Sequence, residues 1–237
     1  MRLPRLTHTM GATLLDLLYP KRCVGCGREG RYFCDGCRAV LPWVPSPWCP
    51  QCGLHLAPGV PCSFCSTHEL ALDGLSSAFL YQSPMREALI ALKYRGLTAL
   101  SAELAALLAN YVSKRTAFAA VDVIVPVPLH RSRQRERGYN QSEVVGRELG
   151  RLLGLPVNIK ALSRLRSTAP QAQQASRDER LRNIEGAFAA QAEEAQGQRV
   201  LLLDDVCTTA ATLNACALAL RAAGAQAVWA LTIAREE

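Results

Sequence analysis

Four Cys-x-x-Cys pairs between Cys23 and Cys65 constrain this chain more than any other feature in it. They run CVGCGREGRYFCDGC and CPQCGLHLAPGVPCSFC, so Cys23, Cys26, Cys34 and Cys37 form one set and Cys49, Cys52, Cys62 and Cys65 a second. A two-residue spacer turns both thiolates of a pair toward one point, and two such turns complete a tetrahedron around zinc. Gly27 and Gly53 follow the first pair of each set, where a tight knuckle leaves backbone N–H groups facing sulfur. A disulfide framework would need an oxidising compartment, for which the sequence carries no signal, and redox pairs come singly rather than four times in a loop-rich stretch. With thiolate at every position, two Zn²⁺ ions are expected, both structural rather than catalytic. Sequential grouping of the ligands is the expectation, with a cross-braced arrangement as the alternative. A module this small does not fold on apolar burial alone. Structural zinc supplies about 10–16 kcal/mol of apparent binding energy against a domain margin of about 5–15 kcal/mol, so metal decides whether it folds.

Beyond the cysteines the composition changes. The 237 residues suit a small module, residues 1–70, followed by one medium domain, residues 71–237. With 49% hydrophobic residues the second part can bury a core, and wholesale disorder is excluded. No stretch of 18 apolar residues occurs, so no membrane span is expected and the location is read as cytoplasmic. Residues 11–18 read as a short amphipathic helix; Asp16 interrupts the apolar patch that a signal peptide would need.

In the second part, strand patterns at Ser76–Tyr81, Val121–Pro128, Val157–Leu162, Val200–Val206 and Ala227–Ile233 alternate with helical ones. The helices are expected over Pro84–Tyr94, Ala99–Val112, Asn140 to about Leu153, and Thr212–Ala223 before Gly224. Asn140 and Glu143 have capping-box spacing. Alternation of this kind predicts an α/β fold, a parallel sheet flanked by helices and buried on both faces. Ligands of such sheets bind beyond the carboxyl ends of strands.

One strand end is chemically distinctive: VLLLDDVCTTAAT, Val200–Thr212. Paired carboxylates there suit sugar hydroxyls or a hydrated Mg²⁺ and would repel a bare phosphate. The hydroxyls of Thr208, Thr209 and Thr212, with the amides that open the next helix, make a phosphate cradle. Acids for a ribose beside a cradle for its 5′-phosphate describe a phosphoribosyl ligand. Cys207 and Cys216, nine residues apart, form no redox motif.

VLLLDDVCTTAAT resembles the phosphoribosyl pyrophosphate (PRPP) motif of type I phosphoribosyltransferases. With the cysteine sets, VPVPLHRSRQRERGYNQSE and TAPQAQQASRDERLRNIEGAF, the chain resembles the ComF family over nearly its whole length. The resemblance implies double zinc ribbons, a type I phosphoribosyltransferase-like domain and a link to DNA uptake in natural transformation. It places PRPP on Asp204, Asp205, Val206, Cys207, Thr208, Thr209, Ala210, Ala211 and Thr212, with the acids on the ribose and Mg²⁺ accompanying the ligand. Val127, Pro128 and Leu129 would approach pyrophosphate through their backbone, and Arg164–Arg182 would form the mobile loop over the site. Ala210 stands where the family's turn has Gly; at positive φ it would cost about 1–2 kcal/mol.

Two functions are compatible with this pattern. A binding protein that handles single-stranded DNA is supported by the net charge of +7, by a loop carrying Arg131, Arg133, Arg135 and Arg137, and by Lys93 and Arg95. Tyr32, Phe33, Trp43 and Trp48 of the cysteine module would offer stacking faces. The alternative is an active phosphoribosyltransferase that displaces pyrophosphate from PRPP onto a nitrogen acceptor. No acceptor-reading constellation is legible, so the binder is favoured.

Overall fold

The computed structural model describes residues 20–166, 184 and 186–236. Its elements in chain order are α1 (Asp35–Ala39), β1 (Gly74–Leu80), α2 (Met85–Tyr94), α3 (Ser101–Val112), β2 (Val123–Pro126), α4 (Arg131–Arg137), α5 (Gln141–Leu153), β3 (Leu162–Arg164), β4 (Phe188–Ala190), α6 (Ala192–Ala195), β5 (Arg199–Cys207), α7 (Ala211–Ala222) and β6 (Ala227–Arg235). Four of the strands form a sheet in the order β1-β6-β5-β2, and every neighbouring pair is parallel.

The apolar run of β5 explains why the sheet is covered on both sides. Successive strand residues face opposite ways, and Val200, Leu201, Leu202 and Leu203 are all fully buried. Val200 and Leu202 pack with Leu213, Cys216 and Leu220 of α7 and with Phe188. Leu201 and Leu203 pack with Leu89 and Leu92 of α2, Leu104 and Leu108 of α3, and Val145 and Leu149 of α5. The expected parallel α/β architecture with a Cys-rich module in front of it is what the chain adopts.

The sheet's outer edges are both covered by loop backbone. On β1, the Val44 amide donates to Ala78, and the amides of Leu75 and Leu80 donate to Pro50 and Pro42, at 3.1, 3.1 and 2.7 Å. An open strand edge invites pairing with another chain; here the cysteine module occupies it. The Glu103 carboxylate accepts the amides of Tyr32 and Phe33, and Asn214 of α7 accepts that of Ala71. On β2, the Ile124 amide donates to Pro156 and the Asn158 amide to Ile124.

Three local expectations are corrected. Val157–Leu162 is not one strand: Val157 bridges Ile124, and the Asn158 side chain then accepts the amides of Lys160 and Ala161 and turns the chain away. Only Leu162–Arg164 is extended, and it pairs antiparallel with β4 outside the main sheet. Residues 131–137 form α4, a helix capped by His130 and ended by Gly138 at φ 83°, rather than a loop. Asn140 caps α5 alone, accepting from Ser142, while Glu143 pairs with Arg147. The short helix expected at residues 11–18 lies outside the described residues. No helix among the described residues is long and apolar enough to cross a membrane.

Candidate functional site

The cysteines gather sequentially, Cys23, Cys26, Cys34 and Cys37 in one cluster and Cys49, Cys52, Cys62 and Cys65 in the other, with the sulfurs of each within 4.8 Å of one another. A tetrahedron with Zn–S bonds near 2.3 Å has edges of about 3.8 Å. The closest sulfur pairs, Cys26–Cys34, Cys49–Cys65 and Cys52–Cys62, stand at 3.6, 3.7 and 3.5 Å. Both four-cysteine sets therefore fit structural zinc, and each knuckle glycine adopts positive φ, 77° at Gly27 and 70° at Gly53. Four such thiols do not ionise together without a cation. Burial pushes Cys37 up to about 12, reinforced by hydrogen bonds to Cys23, Cys34 and Cys26. In the second cluster, burial is outweighed at Cys62 by the Cys65 amide and by Cys52 and Cys49, which bring it down to about 7.

The acidic pair lies at the carboxyl end of β5, beside the end of β2. Asp205 is buried, and its Oδ1 meets the Lys93 Nζ of α2 at 2.9 Å; its other carboxylate oxygen is buried with no hydrogen-bond partner among the described residues. Burial alone would lower the Lys93 ammonium, but Asp205 outweighs it and the net direction is up. Asp204 is half-buried and accepts from the Ser142 hydroxyl at 3.0 Å and from the Asp205 amide at 2.9 Å. Burial and the Asp205 charge push its carboxyl up to about 7. Lys93 and Ser142 are the partners that sequence reading missed. The signal available was a lysine at the end of an otherwise apolar helix, ALIALKY.

After β5 the chain bends through Thr208 and Thr209 into α7. Ala210 sits at φ 62°, ψ 3°, the only non-glycine with positive φ among the described residues. Its methyl cannot cap the helix, and Thr209 Oγ1 accepts the Ala211 amide only at 3.4 Å. The start of a 12-residue helix is thus left largely to other partners. The loop after β2 offers less than expected. Val127 donates its amide to Leu203 and Pro128 has none, so of these three residues Leu129 keeps an amide to present. Asn140 fixes this loop by donating to the Val127 carbonyl at 3.0 Å. Arg164 begins the segment expected over the site; residues 167–183 lie outside the described residues.

The aromatic side chains of the cysteine module all have partners, though Trp43 stays 41% exposed and Tyr32 and Trp48 are half-buried. Phe33 is buried, Trp43 lies 4.2 Å from the Phe79 ring and stacks on Tyr111, and Trp48 lies under the Arg115 guanidinium. Cys207 and Cys216 are buried, and burial pushes the Cys216 thiol well up, which removes it from thiol chemistry.

A module of two four-cysteine centres clamped onto a parallel α/β body defines the class to which this protein belongs. Residues 14–66 match the double zinc ribbon domain family. Over 189 residues the chain is 34% identical to the DNA utilization protein YhgH of Salmonella typhimurium, covering 77% of this chain and 82% of that one. It is 30% identical to competence protein F of Haemophilus influenzae over 90% of this chain and 96% of that one. To competence protein ComFC of Bacillus subtilis it is 29% identical, over 85% and 83%. The chain belongs to the ComF family. Among solved structures, glutamine PRPP amidotransferase from B. subtilis is 22% identical with a TM-score of 0.38, over 56% of this chain and 26% of that one. Adenine phosphoribosyltransferase from Leishmania tarentolae is 14% identical with a TM-score of 0.37, over 59% and 71%.

Proposed function

We propose that this protein is a DNA-handling factor of the uptake machinery, working in the cytoplasm and governed by a phosphoribosyl ligand held at the end of β5. Asp204 and Asp205 would take the hydroxyls of the ribose. Thr208, Thr209 and Thr212, with the amides at the start of α7, would take the 5′-phosphate. The Leu129 amide would approach the pyrophosphate if the ligand is PRPP, and Mg²⁺ would screen the charge of that group. The carrying observation is the juxtaposition at one strand end of a carboxylate pair with the start of a 12-residue helix whose N-cap residue, Ala210, has no side chain to cap it, which suits a molecule that is sugar on one side and phosphate on the other. The DNA side of the reading is supported by the printed names of the relatives, a DNA utilization protein and competence proteins, and by the net charge of +7.

Calorimetry and thermal shift with PRPP and Mg²⁺ test the site. PRPP should raise the melting temperature of the zinc-loaded protein, and Asp204→Asn with Asp205→Asn should abolish that rise relative to the variant's own baseline. Gel shifts of single-stranded DNA with and without PRPP test the link between ligand and strand. Failure of wild-type protein to respond to PRPP by either calorimetry or melting would overturn the ligand assignment. Steady release of pyrophosphate with a panel of nitrogen bases would replace the binder with a transferase.

A further inference from the structure

Beside the acidic pair lies a cleft of about 420 Å³ between the end of α2 and α4, lined by Lys93, Tyr94, Arg133, Glu136, Arg137 and Tyr139. Its volume suits one nucleotide-sized unit. Tyr94 is 74% exposed, the most exposed large apolar side chain among the described residues. The Arg137 guanidinium stands 5.4 Å from its ring centre. Neither Arg133 nor Arg137 forms an ion pair with a described residue, and Glu136 is the one acid of the lining. The walls are held in place: the Tyr139 hydroxyl donates to the Leu92 carbonyl, and Arg137 donates to the Gln141 side chain. An exposed aromatic face beside unneutralised guanidinium groups is the arrangement on which a base stacks while its phosphate is gripped.

We propose that this cleft seats one nucleotide unit of single-stranded DNA, the base on Tyr94 and the adjoining phosphate on Arg133 and Arg137. The placement rests on the DNA-handling reading above and gives it an address distinct from the cysteine module, where Phe33 is buried and Trp43 and Trp48 lie against Tyr111 and Arg115. A free mononucleotide carries the same base and phosphate, so both sources must be tried.

The test is fluorescence anisotropy of a labelled oligothymidylate with full-length, zinc-loaded protein. Tyr94→Ala should weaken binding about tenfold and Tyr94→Phe by less than about twofold, because stacking needs the ring and not the hydroxyl. Arg133→Ala with Arg137→Ala should weaken binding at low salt and flatten the slope of log affinity against log salt by about 1–2. Competition by thymidine monophosphate in wild type but not in Tyr94→Ala would show that a single free unit fills the cleft. Competition by unlabelled oligonucleotide alone would assign it to the strand. Because Tyr94 is exposed and outside the proposed phosphoribosyl contacts, Tyr94→Ala should keep the PRPP thermal shift, which separates a lost cleft from a misfolded chain. Equal binding by wild type, Tyr94→Ala and the double arginine variant would overturn the cleft while leaving DNA handling intact. No binding of either probe by wild type would overturn both.

Discussion

In the α/β body, consecutive residues such as Leu201, Leu202 and Leu203 are all fully buried against helices on two sides; in the ribbon preceding it, four of the seven buried apolar positions between Cys23 and Phe64 are cysteines. The body is thus held by many small contributions, each buried aliphatic side chain worth about 1.5–3 kcal/mol. The ribbon is held by two centres. The contrast teaches that one chain contains a part that weakens by degrees and a part that fails outright. Because the ribbon backbone also covers β1, the second kind of failure reaches into the first.

Removing zinc should break the comparison most sharply. Chelation should release both ions and unfold residues 20–66, a loss on the order of 10 kcal/mol per centre, whereas Cys52→Ser should release the second ion alone and unfold the part around Cys49–Cys65. The body should keep its helical circular dichroism but melt earlier, since the amides of Leu75 and Leu80 lose Pro50 and Pro42. An unchanged body melting temperature would show the two parts to be independent. The next largest effect is expected at Lys93→Met, which strands the buried Asp205 and should cost about 3–5 kcal/mol in chemical denaturation. Asp205→Asn added to Lys93→Met should recover much of that loss, the signature of a coupled pair.

Smaller, and opposite in sign, is Asp204→Asn. The raised carboxyl favours folding while protonated, fully below about pH 4, and that advantage is lost as pH climbs through about 7. A neutral amide should therefore stabilise the ligand-free protein at pH 8 by about 1–2 kcal/mol, allowing for partial solvent screening, and by nearly nothing at pH 4. Melting curves at both pH values measure it. For the same reason a ligand that needs Asp204 ionised should bind more tightly as pH rises from 6 to 8. Smallest is Ala210→Gly, which relieves a left-handed alanine at φ 62° and should add at most about 1 kcal/mol, since glycine's greater freedom when unfolded opposes the gain.

The sequence made visible those features whose cause is local. Cysteine spacing delivered both clusters, and the unbroken apolar run delivered the buried strand and the acids at its end. Ala210 could be singled out only as a departure; its positive φ needed the backbone. Lys93 stands out locally as the lysine that ends an apolar helix, but that its partner is Asp205, far along the chain, is written in no local pattern. Helix α4, RSRQRER, has no apolar residue to set a period, so it passed for a loop. The covering of β1 by residues 42–50 runs through main-chain groups, which leave no mark in side-chain identity.

The lysine that neutralises Asp205 also forms part of the neighbouring cleft wall, so one ammonium belongs to two sites. A sugar or cation that takes the carboxylate must leave that ammonium bare or hand it a new anion. Any phosphate arriving from the cleft side that supplies one eases the exchange, and by thermodynamic reciprocity each occupant then favours the other by the same factor.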